Sequence, residues 1–229
     1  MKVLAIQHDA ADPPAAAGEI VTNLGHELTT IRLDRGDKIP ATPDADMLMT
    51  FGGGFSFTQG EPPPWFAAEQ KLIRDYVDTQ RKVLGICLGS QMISSALGGK
   101  VRRNDQVEVG WHPVESVPGS SSCLTDLFTQ PTHVFHWHQD TFSIPDGAKH
   151  VLRSQGCDNQ GFVIDDRVFA FQCHLEANEK TVRTFLAVSK LWRQDSRFVQ
   201  TEQEIVGGVD QYFPHQQELL QRILVRLMQ

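Results

Sequence analysis

Residues 83–91 read VLGICLGSQ, which sets Cys87 between Gly85 and Gly89 where an apolar run gives way to a helical pattern. A strand that turns at once into a helix projects its corner side chain outward, and small neighbours let backbone and substrate approach it. The helix after Cys87 aims its unpaired N–H groups and the positive end of its dipole at the sulfur. This stabilises a thiolate and offers a donor to an oxyanion. Cys87 is thus placed to attack a carbonyl. The competing reading, a small buried cysteine that ends a strand, is the commoner case for a lone cysteine, so the assignment depends on a base. The stretch VFAFQCHLE supplies one. If Val168 to Cys173 is a strand, His174 and Glu176 share a face two positions apart, with His174 meeting Cys87 and Glu176 holding the imidazole. The run HVFHWH offers further histidines. His136 and His138 share a strand face and suit a metal, but no third ligand is spaced with them, and a hydrogen-bonded or solvated histidine strand is preferred. Neither a metal nor a cofactor is expected.

Strands alternating with helices would position these groups. KVLAIQH reads as a buried strand, AGEIVTNLGHEL as a helix, LTTIRL as a second strand and ADMLMTFGGG as a third that ends in glycines. PPWFAAEQKLIRDYVDTQ opens on prolines suited to a helix start and carries Phe66, Leu72, Ile73, Tyr76 and Val77 at helical spacing. KVLGIC follows as a strand, and SQMISSALGG as a helix stopped by Gly98 and Gly99. This rhythm predicts an α/β fold with an open, largely parallel (mixed) sheet flanked by helices. From Val101 the texture becomes short β-like runs, then a helix near residues 178–192. A last helix, HQQELLQRILVRLM, carries an apolar stripe of Leu219, Leu220, Ile223, Leu224 and Leu227. No linker divides residues 1–229, so a single domain with a helical extension over about 193–229 is expected.

Bulk properties exclude several classes. The 229 residues are 40% hydrophobic and 21% charged, with a formal charge of −7 and no basic face, so nucleic acid is not an expected partner. The N-terminus is too briefly apolar for a secretory signal, and no apolar run approaches the roughly 20 residues of a membrane span. Cys87, Cys123, Cys157 and Cys173 form no CxxC pair, which suits a reducing cytoplasm.

GICLGSQ resembles the GxCxGxQ motif of class I glutamine amidotransferases, and CHLE resembles the HxE motif that completes their Cys-His-Glu triad. TFGGGF resembles the family's oxyanion glycine loop, and HWHQDTF the segment that holds the amino-acid head of glutamine. The resemblance, to a free-standing domain like the amidotransferase domain of GMP synthase, covers residues from about 3 to 190. It implies a flavodoxin-like fold and assigns roles. Cys87 would attack the γ-carboxamide of glutamine to form a γ-glutamyl thioester. His174 would protonate ammonia and then activate water, and Glu176 would orient the imidazole. The N–H groups of Gly53 and Leu88 would form the oxyanion hole, with Gln91, Trp137, His138, Gln139 and Asp140 holding substrate. Two departures stand out: Gly54 where the loop often has proline, implying a more flexible loop, and Leu175 in place of the proline of HPE. No synthetase module accompanies the motifs. The implied activity is glutaminase or amidotransferase action, and in one arrangement the ammonia passes to a separate synthetase. The alternatives are hydrolysis of other γ-glutamyl compounds such as γ-glutamyl peptides, and a catalytically silent binding domain.

Overall fold

A computed structural model describes residues 1–229. Nine strands form one sheet in the order β2-β1-β3-β4-β9-β8-β7-β5-β6. The strands β1 (Lys2–Gln7), β2 (Glu27–Arg32), β3 (Met47–Thr50), β4 (Lys82–Ile86) and β9 (Val168–Phe171) run parallel. The others, β5 (Val101–Ser116), β6 (Thr132–Phe142), β7 (Lys149–Ser154) and β8 (Gly161–Ile164), pair antiparallel. The sheet is therefore open and mixed, with the parallel strands β1–β4 first in sequence and the last strand, β9, joining them.

The inner parallel strands β1, β3, β4 and β9 are mostly apolar because both faces are covered, whereas the edge strand β2 is only partly buried. Along β3, Met47 and Met49 join a core with α1 (Ala15–Asn23) and the C-terminal half of α5 (Glu202–Met228), whereas Leu48 joins the opposite core. That second core contains α2 (Phe66–Asp78) and α3 (Leu88–Ala96). The α5 stripe of Leu219, Leu220, Ile223, Leu224 and Leu227 is buried against the first core, at about 1.5–3 kcal/mol per side chain. A third core lies between the β5–β6 ribbon, α4 (Glu179–Val188) and the start of α5.

Three boundaries differ from the sequence expectation. The first helix stops at Asn23, and Glu27 and Leu28 belong to β2, because Gly25 turns the chain at φ +80°. The last helix starts at Glu202 rather than near His215, capped by reciprocal hydrogen bonds between Thr201 and Glu204, and it runs through Pro214. Finally, β9 ends at Phe171, so His174 and Glu176 sit in the loop beyond it, not on a shared strand face. No helix is long and apolar enough to cross a membrane.

Candidate active site

Cys87 stands between β4 and α3 at φ +51° and ψ −110°, a backbone conformation that an L residue adopts only when its surroundings impose it. The surroundings are backbone. A Cβ at Gly89 would lie 2.1 Å from the carbonyl oxygen of Thr50, and one at Gly85 would lie 2.8 Å from Gly89, so both positions require glycine. The Cys87 N–H donates to Phe171 O at 2.8 Å, and the Gly89 N–H to Phe51 O at 3.0 Å, locking the corner between β9 and the end of β3. Cys87 is 9% exposed, with its sulfur at the border of two cavities.

The base loop is fixed by the sheet rather than by strand alternation. The His174 N–H donates to Phe135 O at 2.7 Å, and Glu176 O accepts from Ala16 N at 3.0 Å. Leu175, in the place of proline, is buried in the first core and anchors the turn between them. The result is that His174 Nδ1 donates to Glu176 Oε1 at 2.8 Å, with the Cys87 thiol close enough to the ring to act on its charge. Burial alone would lower the His174 pKa, but the negative charges of Glu176 and Cys87 raise it well above the usual 6.5. The imidazolium is thus the form the site favours. Glu176 Oε2 is buried with no hydrogen-bond partner, leaving the carboxylate's charge directed at the ring.

Across from the sulfur, the N–H groups of Gly53 and Leu88 donate to no protein acceptor, as an oxyanion hole requires. The glycine loop is tied down. His8 Nδ1 donates to Gly52 O at 3.1 Å, and its Nε2 meets the fully buried Glu69 at 2.8 Å. The Gly54 N–H donates to Asp9 Oδ2 at 2.9 Å. The expectation of a looser loop at Gly54 is therefore corrected: this glycine offers a tether that proline, having no N–H, lacks.

A cavity of about 310 Å³ opens from Cys87 and is lined by Gly53, Leu88, Gln91, Trp137, His138, Gln139 and Asp140. All the substrate-holding positions expected from the sequence thus meet at one place, although their side chains differ in availability. Gln91 Nε2 donates to Gln172 Oε1 at 3.1 Å, and Gln172 Nε2 points at the Cys87 sulfur at 3.6 Å. The Asp140 carboxylate accepts from Ser56 Oγ at 2.5 Å, pinning the loop over the cavity. The His138 ring turns away to Glu108 at 2.9 Å. Sequence reasoning missed Gln172, although it sits two residues before His174 in the motif strand. It also missed Ser189 and Lys190, which follow α4 and line the cavity without any local signal.

Glu108 is the third group that sequence spacing did not reveal beside His136 and His138. The centre of this trio is occupied by a side chain. Gln160 Nε2 lies 2.6 Å from Glu108 Oε2 and 3.3 Å from a ring nitrogen of each histidine, so the arrangement is a filled hydrogen-bond network.

The family profile for class-I glutamine amidotransferases matches residues 19–193. The chain is 33% identical over 213 residues to the glutamine amidotransferase-like protein YfeJ of Salmonella typhimurium, covering 90% of this chain and 89% of that one. It is 27% identical over 181 residues to the glutamine-hydrolyzing GMP synthase component of Halobacterium salinarum, covering 73% of this chain and 92% of the other. A crystal structure of a glutamine amidotransferase from Methylobacillus flagellatus superimposes with a TM-score of 0.91 at 31% identity, covering 99% of this chain and 94% of that one. The strained cysteine corner, the buried His174–Glu176 pair and these likenesses agree: the chain belongs to the class-I glutamine amidotransferase family.

Proposed function

We propose that the protein hydrolyses the γ-amide of glutamine through a γ-glutamyl thioester on Cys87, releasing ammonia. The observation that carries this reading is the continuous arrangement of Cys87, His174 and Glu176 opposite two N–H groups that nothing in the protein uses. In the first half-reaction the Cys87 thiolate attacks the γ-carbonyl carbon, and the oxyanion takes the Gly53 and Leu88 N–H groups. Each such donor is worth about 100- to 1,000-fold in rate. The tetrahedral adduct collapses as His174 Nε2–H protonates the departing nitrogen. His174, now neutral, takes a proton from water, whose oxygen attacks the thioester and restores the thiolate. Glu176 holds the imidazole and stabilises its cation without transferring a proton. Gln91, Trp137, Gln139 and Asp140 seat the amino-acid head, with the Lys190 ammonium at the cavity rim for the α-carboxylate. His138 contributes through its backbone and by bracing Asp140, whose carbonyl its Nδ1 meets at 3.1 Å.

The same reading takes residues 1–229 as one domain, on the strength of the continuous sheet, with its C-terminal helix packed on that sheet's core. It places the protein in the cytoplasm, where its four free thiols stay reduced. The likeness to a component of a GMP synthase supports delivery of ammonia to a separate synthetase. The test is glutamate and ammonia release from glutamine by the purified chain, combined with mass spectrometry after a glutamine-analogue electrophile. Label on Cys87 and stoichiometric release support the proposal; label on another cysteine with Cys87 untouched refutes it.

A further inference from the structure

A second cavity, of about 300 Å³, opens on the other side of Cys87 and is lined by Asp9, Asp12, His174, Trp137, Phe185 and Ser189, among others. The two cavities meet at Cys87, Gly53, Gly54, Trp137 and Ser189, but only this one is lined by His174. Because His174 gives its proton to the departing nitrogen, whatever that nitrogen carries leaves on this side. Ammonia needs no such volume. The cavity lies at the low end of the roughly 300–1,000 Å³ that accommodates small molecules.

Apart from His174 and the Cys87 thiol, its ionisable side chains are acidic. Asp12 is only 7% exposed yet receives no hydrogen bond from any N–H group of the protein. Asp9 stands beside it, with one carboxylate oxygen on Ala11 N and the other on Gly54 N. Asp12 also faces the reacting groups: a Cβ at Gly52 would lie 2.1 Å from Asp12 Oδ1 and 3.0 Å from His174 Cε1. Burial, together with the negative charges of Asp9 and Glu176, pushes the Asp12 carboxyl up to about 7, against the opposing pull of His174. At the wall of the cavity, a carboxylate whose company is Asp9 and the His174 ring gains a further partner from a cation that enters. Both acids precede residue 19, where the family match begins, so the match assigns them nothing.

We propose that the second cavity is a leaving-group subsite for a cationic amine, and that the chain cleaves γ-glutamyl monoamides of small diamines, with the free ammonium on Asp12 and the methylene chain along the packed rings of Trp137 and Phe185. This inference rests on the thioester reading above. Cys87 Sγ bonds to the γ-carbonyl carbon, and the carbon–nitrogen bond breaks with its electron pair on nitrogen, which takes the proton of His174 Nε2. Water then adds to the thioester carbon, its proton passing through His174, and glutamate leaves. The products are glutamate and the diamine.

The test compares kcat/KM for the γ-glutamyl amides of 1,4-diaminobutane, butylamine and 4-aminobutanoate, which are cationic, neutral and anionic at similar length, with glutamine as the common reference. The cationic amide is expected to exceed the neutral one by about tenfold or more, and the anionic one to fall below both. In Asp12→Asn the cationic-to-neutral ratio is expected to collapse to within about threefold, a comparison internal to one protein and so independent of how much of it is folded. If glutamine is cleaved while the wild-type protein treats the three amides alike, or Asp12→Asn keeps the preference, the subsite is overturned and the hydrolase reading stands. If no compound releases glutamate and Cys87 takes no label, the hydrolase reading falls and the subsite falls with it.

Discussion

Of the buried histidine–glutamate pairs in this molecule, His174–Glu176 at 2.8 Å and His138–Glu108 at 2.9 Å make the sharpest contrast. What distinguishes them is the rest of their coordination. The His174 ring and the Cys87 thiol line one cavity, and Glu176 keeps an oxygen with no partner. His138 instead places Nδ1 on the Asp140 carbonyl, while Glu108 also accepts from Ser154 at 2.7 Å and Gln160 at 2.6 Å. Its two ring nitrogens are thus both engaged within the protein, one by a carbonyl and one by a carboxylate. Its neighbour His136 donates Nε2–H to His112 O, and burial pushes its pKa down to about 3. One pair leaves a carboxylate oxygen free beside a thiol and a cavity, whereas the other spends its carboxylate and both ring nitrogens on protein partners.

The contrast is tested most severely by removing the reacting atoms. Cys87→Ser should lose electrophile labelling and bring glutamate release to background, while Cys123→Ser and Cys157→Ser change turnover little. His174→Ala should lower kcat by about a thousandfold or more, and Glu176→Gln by roughly a hundredfold, with residual labelling of Cys87 in the latter. Glutamate release across the series measures this order. A Glu176→Gln protein as dead as Cys87→Ser would give that carboxylate a more direct part in the chemistry.

Glu108→Gln should do the opposite. It breaks a fully buried pair, which costs about 3–5 kcal/mol, so Tm should fall by roughly 10 °C or more while kcat for the folded fraction stays within several-fold. A large kcat loss with an unchanged melting curve would erase the distinction between the pairs.

A third effect follows from titration. His136 stays neutral in the folded protein down to about pH 3, whereas the unfolded chain takes up that proton near 6.5, so stability declines as pH falls between these values. Although burial raises the Glu108 carboxyl, its facing histidines and hydrogen bonds hold it down at about 2 against an ordinary 4.5, and its contribution disappears as pH falls through that interval. Asp12 works against both. With its carboxyl at about 7, the folded protein binds a proton between pH 7 and 3.8 that the unfolded chain lacks, so its penalty is relieved on acidification. Melting curves of Asp12→Asn, free of this opposition, should show Tm falling steadily below pH 6.5; a flat profile down to pH 4 would contradict the assignment.

The smallest expected change is in the same variant at higher pH. Above pH 7, Asp12→Asn should melt a few degrees higher than wild type, and this gain should vanish below about pH 3.8, where both proteins are uncharged at that position. Differential scanning calorimetry at the two extremes measures it.

The parts of the site that were legible in the sequence are those encoded within a few residues. Gly85, Cys87, Gly89 and Gln91 announce a strand-to-helix corner because steric demand and turn geometry act locally, and His174 with Glu176 reads as a unit for the same reason. The justification by strand alternation was nevertheless misplaced, since β9 ends at Phe171 and backbone bonds to Phe135 and Ala16 hold the loop. Glu108 escaped notice beside His136 and His138 because it lies across the β5–β6 ribbon, a pairing that sequence spacing does not display. Asp12 lacked any signal, since an aspartate after a strand reads as a turn residue until the fold encloses it. The start of α5 was missed, though Thr201 and Glu204 carry the capping pattern in plain sequence.

That helix also bears on the base. Gln216, fully buried in α5, accepts the Phe135 N–H at 2.7 Å and donates to Ala177 O at 3.2 Å, joining β6 to the residue that follows Glu176. One carboxamide therefore transmits any pull on the C-terminal helix to the segment that aims His174. Surface immobilisation, purification handles and crosslinkers attached along α5 would load the His174 imidazole mechanically, so a rate measured on a tethered sample would report the attachment as well as the chemistry.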